Sequence, residues 1–75
     1  MSALDSAWTA DYLLRHCEEF AVDAPDGRLG FVTDVVELGD GSIELVVEGA
    51  EATLQIPARR IRLLDAGTER IAVVP

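Results

Sequence analysis

Turn signals divide the chain into short segments from position 24 onward. They are Ala24-Pro25-Asp26-Gly27, Gly39-Asp40-Gly41, Glu48-Gly49-Ala50-Glu51 and Ala66-Gly67-Thr68. Proline fixes φ at a value that turns require, and glycine accepts the positive φ that other residues avoid. Short segments that meet at such turns are typical of the strands of an all-β sandwich or barrel.

Apolar and polar residues alternate within several of these segments. In Ser42–Glu48 the residues Ile43, Leu45 and Val47 share one face, and polar residues occupy most of the other. A period of two predicts antiparallel strands with one buried face. We therefore predict six short strands, over residues 17–23, 28–37, 42–48, 52–56, 60–65 and 70–74.

These strands and the residues before them predict a mostly β fold. We expect a small closed or partly open antiparallel β-barrel of six short strands, because closure removes exposed strand edges. A short N-terminal helix is predicted within residues 6–17, which contain no glycine or proline. The predicted organisation is an N-terminal helical extension over residues 1–16 and a barrel domain over residues 17–75.

The small size of the chain favours self-association. It has 75 residues and one cysteine, so no internal disulfide can form. Domains this small often depend on disulfides, a metal or a partner chain for stability. Val46, Leu64 and Val74 are predicted to lie on outward faces and to contact a partner. We therefore predict a homodimer or a higher homo-oligomer.

Reactive side chains gather only at His16-Cys17-Glu18-Glu19. Neighbouring residues on a strand point to opposite faces, so these side chains do not converge on a metal ion. The chain has no second histidine that could pair with a nucleophile. We predict no catalytic residue, no metal and no cofactor, and hence a protein that is not an enzyme.

Charge is distributed unevenly along the chain, whose net charge is −8. A negative field repels phosphate groups, so no direct binding of nucleic acid is predicted. Arg59, Arg60 and Arg62 form the one basic cluster. One interpretation is pairing with acidic residues on neighbouring strands. The other is a contact patch for an acidic partner or an anion.

Targeting features also limit the predicted location. No apolar run approaches the roughly 18 residues of a membrane span. The first residues lack the charged and then apolar pattern of a secretory signal. We predict no membrane span and a cytoplasmic location, which suits a single thiol.

Residues 20–36 resemble the opening hairpin of the PRC-barrel family. That hairpin contains an Asp-Gly turn followed by a Leu/Ile–Gly–x–Val–x–Asp–Val run. Here the turn is Asp26-Gly27 and the run is Leu29-Gly30-Phe31-Val32-Thr33-Asp34-Val35. Residues 54–65 are similar to the family's Ile-Pro segment, and residues 70–74 to its last strand.

The shared features have physical reasons. Gly27 suits the hairpin turn, and Gly30 would allow a bulge or bend that curls the strand. Pro57 ends its strand because proline cannot donate a hydrogen bond to the next strand.

The resemblance implies a binding or adaptor module. The family includes the cytoplasmic domain of the photosynthetic reaction-centre H subunit and the second domain of a ribosome-maturation factor. The predicted function is a non-catalytic protein-interaction module with a protein partner, which fold similarity alone does not identify. The alternatives are a ribosome- or RNA-processing-associated factor acting through a protein partner, and a small ligand-binding barrel.

Overall fold

A computed structural model describes residues 12–74, which form one six-stranded sheet. The strands are β1 (Ala21–Ala24), β2 (Gly27–Glu37), β3 (Ile43–Glu48), β4 (Thr53–Pro57), β5 (Ile61–Asp65) and β6 (Arg70–Val73). A 3-10 turn, Ala58–Arg60, joins β4 to β5. The prediction of a mostly β fold with six short strands is confirmed. Residues 12–15 are helical and His16 lies in a turn, and residues 1–11 of the predicted N-terminal extension lie outside the described residues.

The strand order is β4-β3-β2-β1-β6-β5. Neighbours are antiparallel except β1 and β6, which are parallel. The prediction of a wholly antiparallel sheet is therefore wrong at this pair, because alternation within a strand does not determine the direction of its neighbour. Among the described strands β4 and β5 are the two edges and do not pair with each other, so the sheet is open.

The core lies on one face of the sheet. Alternation is clearest in β3, where Ile43, Leu45 and Val47 are buried while Glu44 and Val46 are half-buried. Burying one such aliphatic side chain stabilises the fold by about 1.5–3 kcal/mol. The buried cluster consists of Cys17, Phe20, Val22, Val32, Leu45, Val47, Ile56, Ile71 and Val73.

The first strand begins at Ala21, four residues later than predicted. Glu19 has a φ of 73°, which lies outside the β region of regular strands. The Phe20 N–H donates to the Cys17 carbonyl at 3.1 Å, and the Val32 N–H donates to the Phe20 carbonyl at 2.9 Å. Residues 17–20 therefore form a turn that carries two core side chains onto the sheet.

Three strand pairs contain a bulge, where one strand has an extra residue. The extra residues are Leu29 and Thr33 in β2 and Arg62 in β5, because the pairing register skips each of them. Bulges bend a strand and increase its twist. They therefore curl this sheet around its core.

The bulge at Arg62 reverses the predicted faces of β5. Ile61 and Leu64 pack against the core, whereas Leu63 is 57% exposed. The prediction that Leu64 lies on the outward face, opposite Ile61 and Leu63, is therefore wrong. The physical reason is that one extra residue moves the later side chains of the strand to the opposite face of the sheet.

Three residues were predicted to form turns or bends, and each lies at the end of a strand or next to a bulge: Gly27, Gly30 and Pro57. Gly27 has a φ of 145° and opens β2 after the first turn. Gly30 has a φ of 155° and follows the bulged Leu29. Pro57 ends β4 in an extended conformation and leads into the 3-10 turn.

Candidate interaction surface

An aromatic ring and a charged cluster lie side by side on the face opposite the core. Phe31 on β2 is 49% exposed, and the Arg28 guanidinium carbon lies 5.4 Å from its ring centroid. Arg28 Nε also donates to Asp23 Oδ1. Arg70 donates to Asp23 Oδ2 from Nη2 at 2.7 Å and from Nε at 3.1 Å. One carboxylate on β1 thus holds two arginines from the strands on either side.

The register of the sheet explains this arrangement. Asp23 is directly opposite Arg28 on β2 and Ala72 on β6, and Arg70 is two residues before Ala72 on the same face. Hydrogen bonds from Arg28 and then from Arg70 lower the pKa of Asp23 below its usual value. The carboxylate therefore stays charged under mildly acidic conditions.

Leu63 extends this surface to the edge of the sheet. It is directly opposite Ala72 and lies on the same face as Asp23. A hollow of about 270 Å³ lies beside it, and its walls include Asp23, Arg70 and Ala72. We define the outer-face patch as the six residues Asp23, Arg28, Phe31, Leu63, Arg70 and Ala72.

The three arginines predicted from the sequence have different surroundings. Arg60 Nε donates to the Val74 carbonyl at 2.8 Å, and the Val74 N–H donates to the Arg60 carbonyl at 2.9 Å. Arg59 and Arg62 are exposed, and within residues 12–74 neither makes an ion pair. The interpretation that this cluster pairs with acidic residues across strands is therefore wrong. Arg28 and Arg70 make those pairs instead.

The predicted contact residues do not form one surface. Val74 is half-buried beside Arg60. Val46 is half-buried in the middle of β3, which lies three strands from β6. Leu64 packs against the core. Sequence reasoning missed the outer-face patch, and the one local signal for it was Phe31 at an outward position next to the inward Val32.

Opposite charges occupy different parts of the sheet. Residues 31–58, which span most of β2 and all of β3 and β4, contain six acidic residues and no basic one: Asp34, Glu37, Asp40, Glu44, Glu48 and Glu51. Arg15 reaches this region and pairs with Glu37 at 2.7 Å. The remaining arginines lie at position 28 and between positions 59 and 70. The β3–β4 side is therefore acidic, and the side around β5 is the more basic one.

Cys17 is fully buried in the core. Its Sγ donates to the Leu14 carbonyl at 3.5 Å. Burial, with a smaller effect of Glu18, raises the pKa of Cys17 to about 11. The thiol is therefore protonated at neutral pH and a poor nucleophile.

No group of three or more His, Cys, Asp or Glu side chains is placed to hold a metal ion within residues 12–74.

No helix in the described part of the chain is long and apolar enough to cross a membrane. No protein-family model and no curated protein matches this chain. The function is therefore inferred from the surface itself.

Proposed function

We propose that this chain is a non-catalytic protein-interaction module that binds a protein partner through the outer-face patch and also self-associates. The observation that carries the proposal is Phe31, a half-exposed aromatic ring covered on one side by Arg28. Aromatic residues and arginine are enriched in the cores of protein interfaces and supply most of their binding energy.

The surroundings of Phe31 support this role. Asp23 pairs with Arg28 and Arg70 before any partner arrives, which lowers part of the cost of ordering these side chains on binding. Leu63 and Ala72 add apolar area next to these charges. An apolar centre with fixed polar groups around it is the usual anatomy of a protein interface.

We also propose that the fold is of the PRC-barrel kind and that the protein acts in the cytoplasm. The turn at Asp26-Gly27, the bulge before Gly30 and the 3-10 turn after Pro57 lie where the motifs of that family suggest them, and they support the resemblance. The relationship implies an adaptor role and leaves the partner open.

The exposed Arg59 and Arg62 favour a second candidate. A ribosome- or RNA-processing-associated factor would use them to bind an acidic protein partner, since neither guanidinium is paired among the described residues. Direct RNA contact fits less well, because the net charge is −8.

Affinity capture from the protein's own cells tests the proposal. Tagged wild type and the Phe31→Ser variant are compared, with Leu38→Ser as control because Leu38 is 37% exposed and lies outside the patch. We expect one protein to be retained by wild type and by Leu38→Ser and lost from Phe31→Ser. Retention of the same proteins by all three baits would contradict a role for the patch.

A double variant, Arg59→Gln with Arg62→Gln, tests the second candidate in the same experiment. Loss of the partner from this variant alone would favour the second candidate.

A further inference from the structure

Strand β5 is an unpaired edge of the open sheet among the described residues. An edge strand offers a row of free backbone N–H and C=O groups to which another strand can add. A groove of about 410 Å³ runs beside this edge, with walls formed by Leu14, Ala58, Ile61, Arg62, Leu63 and Leu64. Five of these six side chains are apolar. The edge therefore combines unpaired backbone groups with space for apolar side chains.

The side chains of β5 match a second copy of the same strand. Leu63, at 57% the most exposed of the large apolar residues in the described chain, lies at the middle of the strand. Arg62 lies on one side of Leu63 and Asp65 on the other. When two such strands pair antiparallel, the basic end of each faces the acidic end of the other. The charge order of β5 is thus self-complementary.

We infer that β5 pairs antiparallel with β5 of a second copy of this chain. The two Leu63 side chains lie opposite each other on the two-fold axis, so Arg62 of each copy faces Leu64 of the other, and the basic end of each strand lies near the acidic end of its partner. This inference rests on the proposed function, because it names the surface through which the module self-associates.

The described contacts leave both charged groups available for this pairing. Asp65 Oδ1 accepts the Gly67 N–H at 2.9 Å, and Oδ2 has no partner within residues 12–74. Arg62 is exposed, and the part of the chain that the structure describes provides it with no ion pair. The Coulomb energy between exposed charges is small, so these charges favour the antiparallel direction while Leu63 supplies apolar burial.

The other edge is less suited to a second copy. Strand β4 ends at Pro57, which has no N–H to donate. It also borders the acidic strand β3, so two β4 edges would bring like charges together. The interface through β5 is isologous and closes after two copies. It also joins the outer-face patches of both copies into one surface.

A disulfide experiment tests the inference on the full chain. Opposite residues of an antiparallel pair have Cα atoms about 4.5–5.5 Å apart, which is within the range that a disulfide spans. We expect Leu63→Cys to form a covalent dimer on mild oxidation. The matched control is Leu54→Cys on the β4 edge, where Leu54 is 38% exposed, and this variant is expected to stay monomeric on a non-reducing gel. Buried Cys17 gives little background because its pKa is raised.

Sedimentation equilibrium over the micromolar range supplies the second measurement. We expect wild type to be dimeric, and Leu63→Lys to weaken the dimer at least about tenfold because like charges then face each other. Leu54→Lys should leave the dimer intact. A wild-type monomer contradicts both this inference and the proposed self-association. A wild-type dimer that Leu63→Lys does not weaken, or in which Leu63→Cys does not cross-link, overturns this inference and leaves self-association standing.

Discussion

The backbone at Gly30 lies directly against the backbone at Gly49, where β2 passes the end of β3. A β-carbon on Gly30 would lie 2.9 Å from the Gly49 Cα, and a β-carbon on Gly49 would lie 2.6 Å from the Leu29 carbonyl oxygen. Unbonded carbon atoms normally approach to about 3.5–4.0 Å. Glycine at both positions is therefore what allows the two strands to come this close.

We expect Gly30→Ala to lower the free energy of unfolding by about 2 kcal/mol or more. The new methyl group would meet the Glu48 carbonyl, which belongs to the backbone and cannot rotate away. Gly39→Ala is the matched control, because a β-carbon there meets no atom within 4 Å. That change should stay within about 0.5 kcal/mol. Urea denaturation of both variants gives the comparison, and equal midpoints would contradict the close approach.

Stability should fall in acid partly through Asp23. Its pKa is lower in the folded than in the unfolded chain. Its contribution is therefore complete above the unfolded pKa of about 3.9 and is lost as the pH falls through the folded value. We expect Asp23→Asn to be less stable than wild type at neutral pH and to lose less stability on acidification. Denaturation curves from pH 7 to acid measure this.

The control for Asp23 is Asp26→Asn, at an exposed turn position in the same hairpin. The free energy of unfolding of Asp26→Asn should fall in acid by as much as that of wild type. A wild-type acid response in Asp23→Asn would show that the bridge between Arg28 and Arg70 contributes nothing to folding.

Arg60 is expected to stabilise the end of β6. Its Nε donates to the Val74 carbonyl in a partly buried position. Arg60→Met keeps most of the aliphatic side chain and removes the donor, so it should lower the free energy of unfolding by about 1 kcal/mol. Arg59→Met, at an exposed neighbour, should have little effect. If Arg59→Met lowered the free energy of unfolding more than Arg60→Met in thermal or urea unfolding, this role would be refuted.

We expect no measurable binding to generic RNA or duplex DNA near physiological salt. The net charge of −8 opposes approach to a polyanion, and binding through a few arginines weakens steeply as salt rises. Fluorescence polarisation with labelled oligonucleotides at increasing protein concentration checks this. Micromolar affinity at physiological salt would contradict the prediction.

Local signals in the sequence were sufficient to locate five of the six strands, β2 to β6, to within one residue at each end. Alternation in Ser42–Glu48 predicted β3 within one residue, because each apolar side chain there alternates with a half-buried or exposed one. The first strand was placed too early because Cys17 and Phe20 are apolar core residues on a turn. Burial without regular spacing does not distinguish a turn from a strand.

The outer-face patch could not be predicted, because it depends on which strands become neighbours. Asp23 and Arg70 are 47 positions apart and meet only through the parallel pairing of β1 and β6. The faces of Leu63 and Leu64 depend on the bulge at Arg62. A bulge has no reliable local signal when it contains no glycine, and one extra residue exchanges every later side chain between the two faces.

The uneven distribution of charge over the sheet makes the electric field around the protein differ from side to side. Six carboxylates lie within residues 31–58, whereas Arg59 and Arg60 follow in the 3-10 turn and Arg62 in β5. Two copies therefore meet more often in some orientations than in others. Added salt shortens the range of these interactions between charges. The rate at which copies find each other should depend on ionic strength even if the final contact is mainly apolar.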